Sequence, residues 1–253
     1  KRDAQWRNKP STWGAGQTLV LSMLTDAFSP LPLADGTTAA ALTMLMTRTS
    51  FRVRVLTKGA VVASPKWIDF FKAWPGRFTV GLSIGTLDDE WARRVEIGTS
   101  SPTARIKALH ALQDAGVSTY GMLCPVFPDG LHGDSVERLV NEIHPELCEH
   151  VWAEPYNDRA NWRVVRAGYE PYSAGWDWMT SVYEVGHKDM WSGYAADLYT
   201  RLILKARREG WSSKLRYLLY EDGIASAHHA TAFAGLEGVL LQSKPGADGL
   251  STN

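Results

Sequence analysis

The sequence predicts an α/β protein with mainly parallel strands, a six-stranded (β/α) barrel type continued by an aromatic-rich C-terminal segment. Three observations carry this. Short apolar runs of strand length recur along the 253 residues, and stretches with apolar residues at helical spacing lie between them. Strands separated by helices of that length imply right-handed crossovers and therefore parallel pairing. A chain of this size can also bury a sizeable core and, as a barrel, remain one domain.

The elements follow in order. TLVLSML begins at Thr18 and is followed by the helical TTAAALTMLMTRT from Thr37. FRVRVLT, from Phe51, leads to PKWIDFFKAW from Pro65. FTVGLSI, from Phe78, leads to SPTARIKALHALQDAG, the clearest helix of the chain. Ser101 can cap it, Pro102 fits its first turn, Ile106, Leu109 and Leu112 line one face, and Gly116 ends it. STYGMLCPVF, from Ser118, precedes the helical DSVERLVNEI from Asp134, then come HVWAEP from His150 and LRYLLYE from Leu215. Between the last two, GYEPYSAGWDWMTSVYEVGHKDMW (168–191) has too many glycines and aromatics for a simple assignment and reads as a lid or an inserted helix. ADGLSTN at the end reads as frayed.

Composition narrows the function classes. Formal net charge is zero, so no global positive field announces a nucleic-acid binder. The basic start, with Lys1, Arg2, Arg7 and Lys9, reads as a solvated end. No apolar run approaches the roughly 18 residues of a membrane-spanning helix. Two cysteines cannot make a disulfide framework, and with no secretory signal they favour a reducing, cytoplasmic setting.

In parallel α/β folds ligands lie beyond the carboxyl ends of the strands, so the strand ends are the candidate site. These carry Thr25 and Asp26, Thr57 and Lys58, Ser83, Cys124-Pro125, Glu154 with Asn157, and Glu221 with Asp222. Lys58 is the most informative, because it directly follows the alternation of VRVLT and precedes Gly59. An ammonium there suits a carboxylate or phosphate. The histidines show no metal-ligand spacing, His228-His229 cannot share one helix face, and neither a phosphate loop nor a nucleophile elbow is present. Asp26 with Glu154 forms an alternative constellation, a carboxylate pair as in glycosidases.

The motif order LTDAFSPLP (24–32), VLTKG (55–59), GLSIGTLDDEWARRVEIGTSSPTARIKALHALQDAG (81–116), GMLCPVFPDG (121–130) and AEPYN (153–157) resembles the radical SAM proteins related to spore photoproduct lyase and the DNA repair photolyase-like group. The resemblance covers roughly residues 18 to 160. It implies a partial TIM-like barrel, with residues 1–160 as its core and 161–253 supplying the last elements and an aromatic-rich lid or extension. It implies S-adenosylmethionine (SAM) and a [4Fe-4S] cluster as cofactors, and a lyase or oxidoreductase reaction begun by a 5'-deoxyadenosyl radical. It further implies an electron donor such as flavodoxin or ferredoxin.

By position, the resemblance places Lys58 at the SAM carboxylate and Ser83 at its ribose or amino-acid part. Thr25 and Asp26 fall near the methionyl end, Glu96 and Arg105 match an acidic and basic pair beside the cofactor, and the backbone of Cys124-Pro125 runs past the adenine. Glu154 and Asn157 complete the set. The cluster needs a CxxxCxxC-like loop that this chain lacks, so its cysteines are expected upstream of Lys1. The hydrogen-donating cysteine of spore photoproduct lyase is replaced in this neighbourhood by Met23-Leu24, which leaves Cys124 as the candidate donor. Nucleic acid is a candidate substrate, with the Trp- and Tyr-rich segment offering stacking surfaces. The other readings are a barrel hydrolase using Asp26 and Glu154, and a non-catalytic descendant that binds SAM or nucleic acid.

Overall fold

The computed structural model describes residues 12–21, 25–158, 160–219, 227–228 and 240–243. The basic start, Met23-Leu24, Glu221 with Asp222, His229 and the end of the chain lie outside the described residues. Seven strands occur among them: β1 (Thr18–Leu21), β2 (Arg52–Thr57), β3 (Phe78–Ser83), β4 (Thr119–Val126), β5 (Cys148–Pro155), β6 (Leu215–Leu219) and β7 (Leu240–Ser243). The helices are α1 (Pro30–Ala34), α2 (Thr37–Arg48), α3 (Pro65–Lys72), α4 (Asp89–Val95) and α5 (Pro102–Asp114), then α6 (Ser135–Glu142), α7 (Trp162–Ala167), α8 (Ala174–Thr180) and α9 (Lys188–Glu209). A single π turn, Ser181–Val185, joins α8 to the loop before α9.

The fold is α/β, with the strands in chain order, the ordering of a partial (β/α) barrel. All six strands read from the sequence are present, and β7 is a short addition to them. The chain forms two compact units, Lys1–Ser83 with Ala104–Tyr120, and Ile84–Thr103 with Gly121–Asn253.

In the first unit β1, β2 and β3 pair in parallel, with Val20 opposite Arg54 and Val55 opposite Val80. Val53, Val55 and Thr57 form the buried face of β2, and the alternation places Arg52, Arg54 and Leu56 on the other. The helical layer supplies Leu42 and Met46 from α2, Trp67 and Phe71 from α3, and Leu109 and Leu112 from α5, all buried. Phe28, from the turn after β1, packs edge-on against Trp67 with ring centroids 5.0 Å apart, so that turn is anchored in the core. Gly116, at φ 74°, closes the segment after α5, as the sequence predicts.

In the second unit β6 pairs in parallel with both β5 and β7. The charged stretch LDDEWARR becomes α4 because Asp88 caps it, accepting from the Trp91 amide at 2.9 Å. Asp89 and Glu90 in the first turn and Arg93 and Arg94 in the last complement the helix dipole. The aromatic-rich stretch resolves into α8, the π turn and the start of α9. Several of its side chains pack inward: Met179 joins Trp91, Phe127, Tyr156 and Val165 in one buried cluster, with Tyr169, Trp178 and Tyr183 against it.

Candidate functional site

The first unit carries a polar turn at the ends of β1 and β2, built around Asp26. Its Oδ1 accepts the Phe28 amide at 2.8 Å, a local turn two residues long. Its Oδ2 accepts the Thr57 hydroxyl and the Lys58 amide, each at 2.9 Å. The Thr57 oxygen in turn accepts from the Gly59 amide at 2.8 Å. Gly59 admits no side chain, since a Cβ there would lie 2.8 Å from the Phe28 carbonyl oxygen. Lys58 therefore leaves β2, half-buried, from a backbone that is held on several sides.

The other predicted residues of this unit divide into two kinds. Thr25 is exposed. Ser83 is buried at the end of β3, and its carbonyl accepts from Arg105 Nη1 at 2.7 Å. Arg105 is wholly buried and holds β3 by its carbonyl end. Sequence reasoning singled out Ser83 and Arg105 separately, and the fold brings them together.

In the second unit the Cys124 thiol donates to Glu154 Oε2 at 3.2 Å, joining the ends of β4 and β5. Glu154, which the sequence offered as half of a carboxylate pair, has here a thiol partner that the spacing did not reveal. Pro125 is half-buried, and the Cys124-Pro125 peptide is cis. A Cβ at Gly85 would lie 1.8 Å from the Pro125 carbonyl oxygen, so the joint after β3 needs glycine to let that backbone pass. Glu96 lines a cavity of about 590 Å³ with Asp89, Glu90, Arg93, Thr99 and Ser101.

Asn157 follows a strand end held by aromatic side chains. The Tyr156 amide donates to the Val126 carbonyl at 2.9 Å and to the Tyr194 hydroxyl at 2.7 Å. The Tyr156 carbonyl accepts from Trp191 Nε1 at 2.7 Å and from the Tyr183 hydroxyl at 3.4 Å. Tyr194 also donates to the Val126 carbonyl. Nearby, the Tyr169 hydroxyl donates to Asp129 Oδ1 at 2.5 Å. Burial pushes all four phenols above the ordinary value of 10.0, and the charge of Asp129 adds to the rise at Tyr169, as that of Asp158 does at Tyr156. Tyr156, Tyr194 and Asp129 were not candidates from the sequence, because nothing in the local pattern marks a tyrosine that bonds backbone 38 positions away.

The cysteines of this chain do not fit an iron-sulfur cluster. Cys148 is buried with its thiol toward the Ile143 carbonyl, Cys124 is engaged by Glu154, and a cluster needs three or four thiolates. Among the described residues no three His, Cys, Asp or Glu side chains gather as metal ligands, and no helix is long and apolar enough to cross a membrane.

No family model matches the chain. An uncharacterised protein of Mycobacterium tuberculosis, Rv2578c, is 32% identical over 92 residues, which cover 35% of this chain and 26% of that protein. An uncharacterised protein of Methanocaldococcus jannaschii, MJ0683, is 27% identical over 127 residues, covering 50% of this chain and 46% of that protein. The chain thus matches less than half the length of either relative. Two solved structures of spore photoproduct lyase mutants, one with bound AdoMet and dinucleoside spore photoproduct, are similar at a TM-score of 0.43 and 16% identity, covering 68% of this chain and 50% of theirs. A likeness at that level assigns neither activity nor substrate.

Proposed function

We propose that the chain is the barrel portion of a radical SAM enzyme that cleaves SAM reductively to a 5'-deoxyadenosyl radical and abstracts hydrogen from a substrate. The observation that carries this reading is the seat of Lys58. The VLTKG motif stands at the carboxyl end of a parallel strand, its lysine backbone fixed by Asp26 and Thr57. An ammonium carried on a backbone held in this way suits the carboxylate of a zwitterionic ligand. The ordered run of motifs from LTDAFSP to AEPYN supports the same assignment.

On this reading Ser83, Thr25 and Asp26 serve the ribose and methionyl parts, Glu96 and Arg105 the acidic and basic pair, and Pro125, Glu154 and Asn157 the remaining rim. Cys124 would hand a hydrogen atom to a substrate radical, and its thiol is held by Glu154. The cluster thiolates must come from outside these 253 residues. An electron donor of flavodoxin or ferredoxin type and a nucleic-acid substrate complete the proposal, set in a cytoplasmic environment. Asp26 argues against the hydrolase alternative: its carboxylate already accepts three hydrogen bonds from its own turn and from β2, a poor arrangement for a residue that must exchange a proton with a sugar.

The test is anaerobic iron-sulfur reconstitution of the full-length protein followed by reduction with dithionite. The reading expects 5'-deoxyadenosine from SAM. A full-length protein that binds no cluster, or cleaves a chromogenic glycoside in a Glu154-dependent manner, would overturn it.

A further inference from the structure

We propose that Asp26 is a positioning residue, acting on the ligand through Thr57 and the Lys58 amide instead of by its own contact, and that this turn sets the direction in which Lys58 leaves β2. The inference rests on the reading of Lys58 as the partner of the ligand carboxylate. It departs from the placement of Asp26 at the methionyl end, and geometry is the reason. Asp26 Oδ2 takes both the Thr57 hydroxyl and the Lys58 amide, while Oδ1 takes the Phe28 amide. One carboxylate thus ties the turn after β1 to the end of β2, across 31 and 32 positions of chain.

The two sides of this tie are both firm. Phe28 is buried against Trp67 and Phe71, with ring centroids 5.0 and 6.4 Å away, so its amide is a fixed donor. Thr57 is only 2% exposed, and its hydroxyl both donates to Asp26 and accepts from Gly59, passing the constraint across Lys58 to the residue beyond. The Phe28 carbonyl fills the space where a side chain at position 59 would stand. A binding group is only as well aimed as the shell that holds its backbone, and here that shell is Asp26, Thr57 and Gly59.

Two readouts test this. Calorimetry of SAM binding to the reconstituted full-length protein compares wild type with Asp26→Asn, Thr57→Val, Thr57→Ser and the double variant Asp26→Asn/Thr57→Val. Hydrogen exchange of the Lys58 amide is followed in the same proteins without SAM. Acting through Thr57, Asp26→Asn and Thr57→Val should each weaken SAM about tenfold or more, Thr57→Ser should restore affinity near wild type, and the double variant should be no worse than the weaker single one. Lys58 exchange should quicken in Asp26→Asn and Thr57→Val and stay slow in Thr57→Ser. If Asp26→Asn abolishes binding while Thr57→Val leaves it intact, Asp26 touches the ligand and the proposal is wrong. Wild type that binds no SAM would refute the cofactor reading. In that case the exchange experiment decides alone: an unchanged Lys58 rate in Asp26→Asn overturns the positioning role.

Discussion

The polar turn of the first unit and the aromatic clasp of the second perform the same task with opposite chemistry. Each holds the backbone where a parallel strand ends. In the first, one carboxylate collects two donors at the end of β2 and a third from its own turn after β1. In the second, Tyr194, Tyr183 and Trp191 converge on the amide and carbonyl of Tyr156 after β5. The carboxylate device works through charge-assisted hydrogen bonds to two backbone amides and a hydroxyl, so disturbing it should change a binding group's aim more than the fold. The aromatic device makes its bonds with side chains that also form core, so disturbing it should unfold the unit.

Alkaline pH should separate the two most strongly. Burial holds the phenols of Tyr156, Tyr169, Tyr183 and Tyr194 above 10.0, so the folded chain retains protons that the unfolded chain gives up as pH passes that value. Stability should be unaffected by these groups below pH 10 and should fall as pH rises beyond it. Denaturant titration at a series of pH values, read beside phenolate absorbance, checks this. Ionisation of all nine tyrosines at the ordinary value without unfolding would remove the clasp from the account.

Point substitutions give smaller effects. Trp191→Ala, at a residue 6% exposed, should cost about 4 kcal/mol in chemical denaturation, from the lost volume together with the lost bond to Tyr156. Asp26→Ala should cost about 2 kcal/mol, because three donors lose their acceptor at once. Thr57→Val, which removes one hydroxyl and keeps the buried shape, should cost about 1 kcal/mol. If Asp26→Ala proved as destabilising as Trp191→Ala, the polar turn would be a folding element and the contrast between the units would fail.

The parallel α/β order was legible in the sequence because it rests on local periodicity. FRVRVLT and FTVGLSI show the strand patterns that become β2 and β3, and SPTARIKALHALQDAG shows the caps and spacing of α5. β7 escaped notice because Leu240–Ser243 is four residues long, too short for alternation to register. At the candidate site, Asp26, Lys58, Ser83 and Glu154 stood out as polar groups at strand ends. Thr57 and Cys124 stood out in the same way, but which groups would bond did not, since Asp26 with Thr57 and Cys124 with Glu154 depend on strand register across about 30 residues. The aromatic segment was the least legible. Trp and Tyr serve equally as stacking platforms or as core, and only the bonds to Tyr156 show that Tyr183, Trp191 and Tyr194 pack inward.

The claim on which the functional account depends is that Lys58 holds a SAM carboxylate, and calorimetric titration of the reconstituted full-length protein with SAM tests it most directly. If Lys58 holds that carboxylate, replacing it by Ala should weaken SAM about tenfold to a hundredfold, with unfolding unchanged. Equal affinity in wild type and Lys58→Ala would contradict the assignment.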